Sequence, residues 1–211
     1  MIASRQHKSR LSLTDELHAR PYQTLAVPAH ALHFAMVTGE SPDALDSDRQ
    51  HLAELCERYG VEPPEDGAKH FDADCSVFRL KWERHTEFVT YTFFFPDSDG
   101  EPSPTAVTSP VPQDWLNGMP GDLIAAVHIL FAGSGIGDTD VSEAGWFRRD
   151  SLCCSGVSDG KAQVWTDFRI HEDGFSRFLV LDRGLSDRRA GRLVQRLLDI
   201  ETYRTMAMLA L

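Results

Sequence analysis

Two stretches of this chain, CSVFRLKWERHTEFVTYTFFFP (Cys75–Pro96) and KAQVWTDFRIHEDGFSRFLVLD (Lys161–Asp182), each hold two runs rich in β-branched and aromatic residues. In both, a short polar turn that follows a histidine divides the runs, and this pattern folds as an antiparallel hairpin. A hairpin alone cannot bury its apolar face, so each needs partners from the rest of the chain. HALHFAMVTG and DLIAAVHILFAG read as further strands. DSDRQHLAELCERYG places Leu52, Leu55, Cys56 and Tyr59 at helical spacing and ends at Gly60, a residue favoured just past a helix. A short helix is expected around SEAGWF, and a long one after Ser186, with Leu193, Leu197, Ile200 and Met206 along one stripe. The expected fold class is α+β: a mixed, largely antiparallel sheet from two βαββ-like units, with a long C-terminal helix.

This reading divides the chain into an N-terminal arm (1–24), an α+β domain (25–185) and the start of a long helix (186–211). Within the domain, pseudo-repeats cover 29–96 and 122–183. Laying FRLKWERH over VWTDFRIH aligns Trp82 with Phe168 and His85 with His171. The segment 96–112, PDSDGEPSPTAVTSPVP, is too rich in Pro, Ser, Asp and Gly to pack and is expected to be a mobile loop.

The aligned strands each carry a polar stripe, Lys81, Glu83 and His85 in one and Asp167, Arg169 and His171 in the other. Alternate residues of a strand share a face. Read structurally, the two stripes pair antiparallel with Glu83 opposite Arg169, a ladder in which each opposite-charge pair contributes up to about 1 kcal/mol. Read functionally, they form a polar face for a divalent cation or an anionic small molecule. DELHARP gathers Glu16, His18 and Arg20 beside Asp15, as a solvated helix start stopped by Pro21 or as an arm lining a site. The candidate ligand-binding set is therefore Glu16, His18, Arg20, Lys81, Glu83, His85, Asp167, Arg169 and His171. No catalytic residue, cofactor or particular metal is assigned, and the balance leans away from an enzyme.

Other features narrow the field. GSGIG (Gly133–Gly137) follows a strand, but DTD comes next, where a phosphate would be repelled. Cys56, Cys75, Cys153 and Cys154 show no metal-ligand spacing and read as free thiols of a reducing compartment. A formal charge of −11 argues against nucleic-acid partners. No signal peptide or bilayer-spanning run occurs in the 211 residues. The last helix opens with Arg188, Arg189, Arg192 and Arg196 and closes on MAMLAL without a stop signal, so the chain reads as a fragment whose helix continues. A homo-oligomer formed through that helix is expected.

DELHARP, FRLKWERHTEFVTYTF, WTDFRIHEDGFSRFLV and AGRLVQRLLDIETYRTMAMLAL, in this order, resemble a family of uncharacterised bacterial proteins described as membrane-anchored. The resemblance implies a longer parent with a helical stalk and C-terminal membrane-spanning helices, this chain being its cytoplasmic N-terminal domain at the inner membrane. It implies no activity, and it transfers no catalytic residue. A sensing, regulatory or assembly role follows, with two alternatives. One is an enzyme using the His85 and His171 region. The other, by architecture alone, is a domain like that of CorA-type divalent-cation channels.

Overall fold

The computed structural model describes residues 11, 24–39, 41–86, 88–96, 109–133 and 135–209. Its architecture is α+β: one eight-stranded, mostly antiparallel sheet with helices on both faces and a long helix last. The strands are β1 (Ala29–Val37), β2 (His70–Asp74), β3 (Arg79–Arg84), β4 (Phe88–Pro96), β5 (Asp122–Ala132), β6 (Cys153–Val157), β7 (Ala162–Ile170) and β8 (Ser176–Asp182). The helices are α1 (Pro42–Tyr59), α2 (Gln113–Asn117), α3 (Asp138–Glu143) and α4 (Asp187–Leu209).

The strands lie in the order β2-β3-β4-β1-β5-β8-β7-β6. β1 and β5 hold the centre, which is why their sequences are almost continuously apolar: both of their faces are covered. Each half of the chain supplies a central strand, a helix and a three-stranded antiparallel meander. The directions differ between halves, since β4 runs antiparallel to β1 whereas β8 runs parallel to β5. Both hairpins turn just after the histidine: the His85 N–H donates to Phe88 O, and the His171 N–H to Phe175 O.

α1 starts where Ser41 Oγ accepts the Ala44 N–H at 3.2 Å, with Pro42 at the first turn, and stops at Gly60, left-handed at φ 65°. It buries Leu52, Leu55 and Cys56 on the face of Leu80, Trp82, Tyr91 and Phe93. Arg84 ties β3 to this helix through Asp48, which also accepts from Thr38 Oγ1 at 3.0 Å. Burial of this kind contributes roughly 1.5–3 kcal/mol per large apolar side chain. On the opposite face α4 spans roughly 35 Å at 1.5 Å per residue. It sets Ala190, Val194 and Leu198 against Val127, Phe178 and Val180. Ala31, Ala35 and Ala125 on that face are small, so the helix approaches closely. α3 and Phe147 cover Trp165, Leu179 and Leu181 on the α1 side.

Three details depart from the sequence expectation. The short helix expected around SEAGWF lies earlier, at Asp138–Glu143, because Gly145 at φ 70° breaks the run. β2 and β6 are additional edge strands, exposed at most positions and so without an apolar run to announce them. α2 was not anticipated; it is one turn of helix anchored by the buried Trp115. Residues 97–108 of the expected mobile loop, and the DELHARP motif with Glu16, His18 and Arg20, lie outside the described residues. Among the described residues no helix is long and apolar enough to cross a membrane.

Candidate functional site

The two polar stripes occupy one sheet but opposite faces. Leu80 and Trp82 of β3 pack on the α1 side, so Lys81 and Glu83 between and beyond them point to α4. Asp167 shares the face of Trp165, away from α4, and accepts the Arg148 N–H at 2.8 Å. The salt-bridge ladder expected between these strands is absent, because β4, β1, β5 and β8 separate β3 from β7.

Under α4 the stripe becomes a structural seam. Register aligns Lys81, Thr92, His33, Val127 and Ser176 in one row across five strands. Lys81 Nζ donates to Gln195 Oε1 at 2.7 Å and lies 3.1 Å from Glu83 Oε2. His33 Nε2 is 3.0 Å from Thr202 Oγ1, and Ser176 Oγ donates to Glu201 Oε1 at 2.9 Å. These bonds between buried groups fix the helix in position, although Glu83 Oε1 and Glu201 Oε2 accept none among the described residues. His85 lies at the seam's edge, stacked on Phe88 at 4.0 Å and 3.5 Å from Tyr203 Oη.

At the end of β7 the expected alternation of Asp167, Arg169 and His171 is broken. Phe168 adopts φ 53°, a left-handed conformation that is costly for a bulky residue, and the register slips between Thr166 and Ile170. The consequence is a local pair: His171 Nε2 sits 3.1 Å from the buried carboxylate of Asp167. Arg169 joins them through its backbone, its N–H donating to Asp167 Oδ1 at 3.1 Å. Its side chain is exposed, with Nε 3.4 Å from Ser151 Oγ.

The sequence reading missed a third location, a cavity of about 590 Å³ on the sheet face opposite α4. Leu32, Phe34, Met36, Leu116, Met119 and Phe175 supply its apolar walls. His128, Asp173, Gln113 and Asn117 supply polar groups. His128 Nε2 is 3.0 Å from His30 Nδ1, and both rings are buried in the central strands. Across the β5–β8 pair His128 lies opposite Arg177, which donates to Asp173 at 2.6 Å and to Trp146 O at 3.3 Å. Burial pushes the Asp173 carboxyl up, but the Arg177 guanidinium and the Phe175 N–H outweigh it and hold the carboxyl below its ordinary value. The available signal was histidines inside two otherwise apolar runs, His30 and His33 in HALHFAMV and His128 in AAVHILFA. Among the described residues no group of three or more His, Cys, Asp or Glu side chains is placed to hold a metal ion.

The cavity thus combines apolar walls with a few convergent polar groups, the make-up of a small-molecule site. The family described as "Protein of unknown function (DUF3422)" matches residues 5–211. No curated protein and no solved structure matches the chain.

Proposed function

The chain belongs to the DUF3422 family, and we propose that it is a sensing domain that takes a small molecule into the cavity beside α2 and reports it through α4. One observation carries this reading. Leu32, Phe34 and Met36 of β1 line the cavity, while His33, between the first two, bonds to Thr202 of α4. A ligand that moves β1 acts directly on the helix contact, and it shifts the helix as far as its affinity differs between the two arrangements. In this proposal α4 leads toward the membrane-anchored part that the sequence resemblance implies, at the cytoplasmic face of the inner membrane. Exposed Ile200, Met208 and Leu209 are then available to that part or to a second copy.

Thermal denaturation with three probes of one chain length, n-hexylamine, hexanoate and 1-hexanol, tests the binding step. A probe at ten times its Kd adds about 1.4 kcal/mol, which raises the midpoint of a chain this size by roughly 3–6 °C. Leu116→Trp, which fills the cavity from α2, should abolish the shift. No shift with any probe contradicts the reading.

A second reading, an enzyme using His171, draws on the Asp167–His171 contact beside the strained Phe168. A buried carboxylate that orients an imidazole is the arrangement of a general base. Hydrolysis of p-nitrophenyl acetate above the buffer rate, lost in His171→Asn, would favour it.

A further inference from the structure

We infer that the ligand of this cavity is an organic cation, an amine carried on an apolar body; the inference rests on the sensing reading above. The cavity is a slot along β1. Register sets Leu32 opposite His128 and Val37 opposite Asp122, five residues further on. At about 3.3 Å per residue, that is a length of roughly 16 Å.

The two charged lining residues of the slot are both acidic, Asp173 being already paired with Arg177 at 2.6 Å. Asp122 and Asp173 line it, and among the described lining residues there is no lysine or arginine. Arg177, the nearest guanidinium to His128 by register, is held by Asp173 and Trp146 O and is not a lining residue. A carboxylate or phosphate entering the slot would lose hydration without meeting a free cation, which is costly. An ammonium meets a carboxylate instead.

The space between favours the rest of such a molecule. Phe34 and Phe175 meet edge to face with centroids 5.6 Å apart, and Met36 and Met119 flank them. Aromatic rings attract a cation through their quadrupole, and thioether side chains adapt to an alkyl chain. The slot therefore pairs an acidic group with an aromatic and aliphatic lining, and the chain around it carries a formal charge of −11.

Calorimetric titration of the full chain near pH 7 with n-hexylamine, hexanoate and 1-hexanol separates the head groups while keeping the tail. The expected result is n-hexylamine binding about tenfold or more tighter than either of the others. Asp122→Asn, at an exposed position, should reduce that preference, and Asp122→Asn with Asp173→Asn should bring it to within about twofold. Because Asp173→Asn also frees Arg177, circular dichroism of both variants verifies the fold, and 1-hexanol binding should stay unchanged. Hexanoate binding as tightly as the amine, or an amine preference that survives in the double variant, overturns the inference and leaves the sensing reading standing. If none of the three binds, the sensing reading falls, and the inference with it.

Discussion

His33 Nε2 lies 3.0 Å from Thr202 Oγ1 while its Nδ1 lies 2.8 Å from Thr92 Oγ1, so one imidazole ties the central strand β1 both to its neighbour β4 and to α4. A neutral ring donates at one nitrogen and accepts at the other, and hydroxyls suit both. Burial, and then the charge of Lys81, lower its pKa from 6.5 to about 3. The unfolded chain therefore takes up this proton first. The stability from neutral His33 is complete above pH 6.5 and is lost as pH falls toward 3. Between pH 7 and pH 5 the loss from this one group is roughly 2 kcal/mol. Urea unfolding at the two pH values measures it, and His33→Gln should remove most of the difference.

Lys81 and Glu83 should behave as a unit. Both are almost fully buried and lie 3.1 Å apart, with Lys81 also bonded to Gln195 of α4. Lys81→Met leaves the buried Glu83 carboxylate with the His70 imidazole, 3.7 Å away, in place of a permanent cation, and should cost about 3–5 kcal/mol. Lys81→Met with Glu83→Leu should recover most of that loss. A double-mutant cycle by urea unfolding gives the coupling; additive losses would contradict it.

Gly121 and Gly174 have nearly the same backbone, φ 88° and φ 85°, but different surroundings. A Cβ on Gly121 would lie 2.2 Å from Val37 O, whereas one on Gly174 meets nothing within 4 Å. Gly174→Ala should cost about 1–2 kcal/mol, the left-handed penalty alone. Gly121→Ala should cost clearly more, since the backbone of β1 has to move. Thermal denaturation of the two variants compares them, and equal midpoints would contradict the close approach.

The thiols should fall into two classes. Cys153 and Cys154 are exposed; Cys56 and Cys75 are buried, and burial pushes the Cys56 pKa up to about 11. Thiolates react and thiols do not. Titration with a chromogenic disulfide should modify Cys153 and Cys154 in the native chain, and Cys56 and Cys75 only after denaturation.

The hairpins, the central strands, α1 and α4 were legible in the sequence because each is long and periodic or bounded by a clear stop such as Gly60. The edge strands β2 and β6 were not, since strands exposed at most positions carry no hydrophobic pattern. Lys81, Glu83, Asp167 and His171 stood out as polar residues, but their partners did not. Sheet order decides those, and it places four strands between β3 and β7. The Asp167–His171 pair depends on the left-handed turn at Phe168, a conformation its residue type does not announce. His30 and His128 meet only once β1 and β5 are known to be neighbours.

The most direct test of the coupling between cavity and helix uses the methionine methyl groups. Of the five methionines, Met36 and Met119 line the cavity, and Met206 packs in the α4 layer. Spectra of the chain labelled with ¹³C at the methionine methyls, recorded during titration with n-hexylamine, should show Met36 and Met119 shifting along one saturation curve and Met206 shifting with the same midpoint. His33→Gln should preserve the first two shifts and abolish the third. Movement of Met36 and Met119 with Met206 unchanged in the unsubstituted chain would contradict the claim that β1 passes ligand binding to α4.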